Sequence, residues 1–177
     1  MKRLFFLLCI LNSQNIYEGQ LIFDYTGTED GLFSSIIQDS VISGLSFNQN
    51  NGDSANFLIA AVTEQGENQF DIFLAVLQDT TFPIEPRSWD IPGEGDVDNP
   101  LSLEALLIFM PDLDSSIVTQ LFNIFTDTSN FENNQDIITE FFTILSNDIY
   151  FGLEGNFQIN DISNSSISGN FNTVMLK

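Results

Sequence analysis

FLIAAVTEQGENQFDIFLAVL, residues 57–77, decides how the rest of the chain is read. Phe57–Val62 and Phe70–Leu77 are apolar at nearly every position, and both are too short for buried helices. A strand with such a sequence has both faces covered. The polar stretch from Thr63 to Gln69 contains Gly66 and suits a turn. The pair therefore reads as a hairpin of two central strands, which requires further elements on both sides.

Strands flank it. Leu21–Tyr25, Leu32–Ile37 and Val41–Phe47 carry β-branched and aromatic residues between turn signals. In the third, Val41, Ser43, Leu45 and Phe47 alternate with their neighbours, as in a sheet with one buried face. Thr81–Pro100 holds four of the five prolines and reads as a loop with an edge strand around Arg87–Ile91. At the far end, Phe151, Leu153, Phe157 and Ile159 share one parity. After a polar turn, Ile167, Gly169, Phe171 and Met175 continue the same face. That predicts a closing antiparallel hairpin, with the two GNF triplets (155–157 and 169–171) at matched depth.

The interval between Gly95 and Gly152 contains no glycine, and its periodicity changes. IVTQLFNIF (117–125) and IITEFFTIL (137–145) match position by position in polarity. As strands they would mix both faces. As helices each gathers its polar residues on an arc of about 100° and its apolar ones on the rest. LSLEALLIFM (101–110), opened by Asn99 and Pro100 and closed by Pro111, reads as a helix on start and stop signals. Asp114 suits the N-cap of the next helix. The expected fold is mainly β with an α insertion: an antiparallel β-barrel or sandwich of seven or eight strands. A two-to-three-helix insertion (about 100–146) precedes the C-terminal hairpin.

The N-terminus, MKRLFFLLCILNSQ, has the basic start, short apolar run and small residue of a secretory signal peptide, residues 1–13. Residues 14–177 then form a single β-rich domain, secreted, periplasmic or at the cell surface. No other run is long and apolar enough for a transmembrane helix. Cleavage after Ser13 leaves 25 acidic residues against Arg87 and Lys177, a net charge of −23, and no cysteine. Such a charge repels nucleic acid and anionic lipid surfaces.

Composition removes most catalytic chemistry. The chain has no histidine, so Ser-His-Asp triads and imidazole bases are excluded. Without cysteine in the mature chain, thiolate catalysis is excluded too. No phosphate-binding or dinucleotide fingerprint occurs. Carboxylates remain, and a pair of them could in principle hydrolyse a glycoside. The chain therefore reads as a non-enzymatic binding or structural module.

Two candidate sites follow. Phe122, Phe125, Phe141, Phe142 and Leu145, on the matched segments, could line an apolar ligand pocket between sheet and helices. Asp90, Glu94, Asp96, Asp98 and Asn99 offer oxygen ligands on a Gly-containing loop, a candidate Ca²⁺ site for adhesion or assembly. Their spacing is not that of an EF-hand. Arg87, the one interior cation of the mature chain, is expected to pair with Glu85, Asp90 or another nearby acid and pin this loop.

The terminal stretch GNFQINDISNSSISGNFNTVML resembles the closing hairpin of small secreted or envelope β-barrel and β-sandwich domains of unknown function from Gram-negative bacteria. That resemblance covers two strands and the general layout. It implies a fold and an envelope location, and it transfers no functional residue.

Overall fold

The computed structural model describes residues 16–17, 20–28, 30–35, 41–48, 55–80, 84–96, 102–126, 143–144, 149–163 and 166–177. They form ten strands and one helix: β1 (Ile16–Tyr17), β2 (Leu21–Tyr25), β3 (Gly31–Ser35), β4 (Val41–Asn48), β5 (Ala55–Gly66), β6 (Gln69–Asp79), β7 (Ser88–Ile91), β8 (Ala105–Asp114), α1 (Ser115–Thr126), β9 (Tyr150–Ile162) and β10 (Ile167–Leu176). The protein is mainly β, and every strand pair among these residues is antiparallel.

The main sheet runs β1-β4-β5-β6-β8-β9-β10, with β7 added beside β9. β5 and β6 are the central hairpin, paired from Ala55↔Asp79 to Gly66↔Gln69. The strands reach further than their apolar runs. The turn is only Glu67 and Asn68, and Asn68 takes the left-handed conformation (φ 64°), which Asn tolerates.

Alternate residues of β6 and β8 feed two cores. Phe73, Ala75, Leu77, Ala105, Leu107 and Phe109 join one cluster with Phe57, Trp89, Phe157 and Ile159. Ile72, Leu106, Ile108 and Met110 join the other, against Val118 and Leu121 of α1. The first core is capped by the β2–β3 hairpin. Its Phe23 ring lies 4.8 Å from Phe33, 5.3 Å from Phe73 and 5.4 Å from Phe109. Ser35 Oγ donates to the Val62 carbonyl (2.7 Å) and Thr63 Oγ1 to that of Ser34 (3.0 Å), which fixes the cap to β5. Each fully buried Phe here contributes about 1.5–3 kcal/mol relative to exposure.

The sheet curls. β6 and β10 are three strand steps apart, roughly 14 Å in a flat sheet. Yet Phe73 and Phe171 stack with centroids 5.1 Å apart, and Phe23 touches Phe171 at 5.3 Å. Only curvature about the first core brings these rings together.

The helix expected at 101–110 is corrected. LSLEALLIFM does not form a helix: Ala105–Met110 is the start of β8, buried on both faces between β6 and β9. Its Leu, Ala, Glu and Met residues favour helices weakly, and packing in the middle of a sheet outweighs that preference. The first part of the expected insertion is therefore a central strand, and α1 follows it where expected. Asp114 Oδ1 accepts from the Ser116 amide at 2.7 Å, as an N-cap should. The second matched segment, Ile137–Leu145, lies outside the described residues except for Thr143 and Ile144, which are helical. Residues 1–13, the expected signal peptide, also lie outside them.

The closing hairpin is present, with Phe157 opposite Phe171 and their rings stacked at 5.6 Å. The glycines of the two GNF triplets do not match: Gly155 faces Thr173, and Gly169 faces Ile159. Nor is the apolar face continuous. Glu154 pairs with Val174 and Gly152 with Met175, leaving Leu153 as an extra residue. One extra residue flips the parity. Phe157 and Ile159 are core, while Phe151 packs against the second cluster and Leu153 is largely exposed. Pairing also slips at Gly44 of β4, interrupting the alternation from Val41 to Phe47.

Candidate functional site: the Arg87 clamp and the adjoining acidic loop

Arg87 precedes β7, where the chain returns from its proline-rich loop to the sheet. Its carbonyl accepts from the Ile159 amide at 2.9 Å, an extension of the β7–β9 pairing. The guanidinium spans two carboxylates: Nη1 lies 3.3 Å from Asp79 Oδ1, and Nη2 lies 2.9 Å from Glu104 Oε1. Its Cζ stands 4.9 Å above the Trp89 ring. Trp89 is fully buried and donates its indole N–H to the Gln78 carbonyl at 2.6 Å. The Gln78 amide in turn donates to the Glu104 carbonyl at 2.9 Å. This clamp ties the end of β6, the start of β7 and the approach to β8.

Of the acids expected from sequence, neither Glu85 nor Asp90 is the partner; another nearby acid, Asp79, is, joined by the more distant Glu104. The guanidinium contacts two carboxylates and a ring. Asp79 is buried and Arg87 is part-exposed. Solvent screening limits the Glu104 contact, whereas the Asp79 contact compensates a desolvated charge.

The acidic loop that follows is held by its backbone. The Ala105 amide donates to the Pro92 carbonyl (3.0 Å) and the Glu104 amide to the Glu94 carbonyl (2.8 Å). The Asp96 amide donates to Ser102 Oγ at 2.8 Å. Close approach explains the glycine at 93, whose φ is 71°: an added Cβ would stand 2.6 Å from that of Glu104. The Ile91–Pro92 peptide bond is cis. Asp90, on β7, is exposed, as are Glu94 and Asp96 nearby. Among the described residues, no three acidic side chains come close enough to hold a metal ion. Asp98 and Asn99 lie outside those residues.

The pocket candidates are likewise split. Phe122 and Phe125 lie on α1, and only their backbone is described; Phe141, Phe142 and Leu145 lie outside the described residues. The described part of the helix–sheet contact is filled by Val118 and Leu121 against Ile108 and Met110.

Sequence reasoning passed over Asp71. It is buried, and both its oxygens are used. Oδ1 accepts the Asp112 amide at 2.9 Å, and Oδ2 accepts Gln65 Nε2 at 2.7 Å. Both donors sit at strand irregularities. Gln65 is the extra residue between Glu64 and Gly66, and Pro111 with Asp112 bulges out between Met110 and Leu113. Asp112 is held at φ 54°. Burial pushes the Asp71 carboxyl up from its ordinary range. The Asp112 amide and Gln65 pull it back, and the Asp112 charge adds to the rise. The available signal was an acid inside an apolar run with both faces covered.

Among the described residues no helix is long and apolar enough to cross a membrane. Comparison of the chain with protein-family models, with curated proteins and with solved structures found no match.

Proposed function

We propose that this chain is a secreted or periplasmic binding or structural module without catalytic activity, built as a curled β-sandwich around the Phe-rich core. The observation that carries this reading is how the buried charge is used. Asp71 braces two strand irregularities and Asp79 receives Arg87. Each is spent on the scaffold. Enzymes instead gather perturbed titratable groups around a place where substrate can sit. Delivery across a membrane is supported by Lys2–Arg3 and the apolar run Leu4–Leu11. The large negative charge favours solubility outside the cell and disfavours nucleic acid as a partner.

An apolar ligand held beneath the matched segments is the specific form of binding that the Phe-rich faces favour. Native mass spectrometry of protein purified from its own host tests it: a discrete added mass, removed by organic extraction, is expected. A ligand-free spectrum would remove the carrier form of the reading. Turnover of a glycoside panel, abolished by a single Asp→Asn or Glu→Gln change, would overturn the non-enzymatic reading itself.

A further inference from the structure

The edge strand β10 carries its own recognition chemistry. One side of it is paired with β9 from Ile167↔Ile162 to Leu176↔Phe151. Among the described residues, no strand pairs with the other side. Natural edge strands are protected by being short, or by charge or proline. β10 has ten residues, ISGNFNTVML, with no charged residue and no proline. Its inward face is used: Ile167, Phe171 and Met175 pack on the first core. On the outward face Val174 and Leu176 are each 59% exposed, and Leu153 of the adjoining β9 is 47% exposed. Among the described residues, β10 is thus a ten-residue uncharged edge in a chain of net charge −21.

A row of peptide N–H and C=O groups accepts only another extended backbone, so the edge chemistry calls for a strand. Charge selects which one. A second copy would bring its own net −21 to the contact. Glu154 and Asp161 stand on β9 directly behind Val174 and Ser168, against one cation, Lys177, at the end of β10 over the Tyr150 ring, so acids outnumber bases along the edge. We infer that β10 binds an extended segment of a protein partner by strand addition, apolar at alternate positions and flanked by Lys or Arg. The alternate apolar residues cover Val174 and Leu176, and the basic flanks offset the acidic surroundings. This rests on the binding-module reading and names its partner class.

The test uses the purified chain and two synthetic ten-residue peptides of alternating Val and Thr, one ended by Lys and the other by Glu. The Lys-ended peptide should bind at least tenfold more tightly at low salt, and the gap should narrow as salt is raised. Binding should slow amide exchange in β10. N-methylation of the peptide at alternate residues in one register should abolish binding and in the other should not. Val174→Lys with Leu176→Lys, both at exposed positions, should weaken binding of the Lys-ended peptide at least tenfold. Equal binding of the two peptides, no binding, or protection confined to other strands would overturn the inference. So would a dimer seen by sedimentation equilibrium and dissociated by Val174→Lys, since the occupant would then be a second copy. None of these results depends on a co-purified ligand or a glycoside assay, so the broader reading stands or falls separately.

Discussion

The backbone amide of Asp112 donates to Oδ1 of Asp71 at 2.9 Å, across the β6–β8 pair. It is the contact that allows Pro111, which has no amide proton, to sit inside a central strand. Proline normally breaks a ladder there. Here the chain bulges, and a buried side chain takes the amide that the neighbouring backbone cannot.

Removing that acceptor should therefore cost more than removing its charge. Asp71→Ala leaves the Asp112 amide and Gln65 without an acceptor, and an expected loss of about 2–3 kcal/mol follows. Asp71→Asn keeps an oxygen for Asp112, and Gln65 can turn its amide to accept. It should fall within about 1 kcal/mol of the parent at neutral pH. Urea unfolding of the three proteins decides this. An Asp71→Ala protein as stable as the parent would exclude the bracing role.

The same pair predicts a pH dependence. Because the folded carboxyl lies above the unfolded value of 3.8, the folded state holds its proton over a window where the unfolded state has lost it. Asp71 thus contributes most below 3.8, and that contribution declines as pH rises through the folded value. The stability difference between parent and Asp71→Asn should shift towards the variant as pH rises from 3 through the window. A difference independent of pH would contradict the raised carboxyl. Asp114 has the opposite sign: its bonds to Ser116 lower it, so its support of α1 is lost as pH falls through its folded value.

Arg87 should matter through Asp79. Arg87→Met takes the guanidinium away from buried Asp79, with an expected loss on the order of 1–3 kcal/mol. Adding Asp79→Asn should return much of it, a coupling that a double-mutant cycle measures. Trp89, the chain's single tryptophan, lies beneath the guanidinium and reports locally. Its emission should shift to the red in Arg87→Met before global unfolding. Additive effects with unchanged emission would count against the clamp.

Gly155 should not accept a side chain. Its φ is 145°, and an added Cβ would run into the Asn172 carbonyl oxygen on β10. Gly155→Ala is expected to cost about 2 kcal/mol or more, read as a lower urea midpoint. It should also speed amide exchange in the closing hairpin. An unaffected midpoint would mean that β9 and β10 separate there without penalty.

Calcium offers a further check. The 92–96 loop is closed by backbone bonds to Glu104 and Ala105 and by the Asp96 amide on Ser102 Oγ, which need no cation. Ca²⁺ should therefore raise Tm no more than NaCl of equal ionic strength. A specific increase lost in Asp90→Asn or Asp96→Asn would restore the loop as a metal site.

Much of the architecture was written locally. The doubly apolar runs at 57–62 and 70–77 could only be central strands, and the polar arc of IVTQLFNIF could only be a helix, since period and burial are properties of short segments. The acidic charge and the missing histidine likewise constrained chemistry without any fold. ALLIFM was not legible, because its residues serve equally in a buried helix or a buried strand; vacancy between β6 and β9 decided it. The flip at Leu153 was hidden as well, since a bulge depends on the partner strand. Asp71 needed two irregularities from two other strands before it had a role, and Arg87 found acids 8 and 17 residues away rather than its neighbours. Periodicity fixes which face of an element is apolar. Only the packed sheet settles which elements meet, because burial and hydrogen-bond satisfaction are decided between segments.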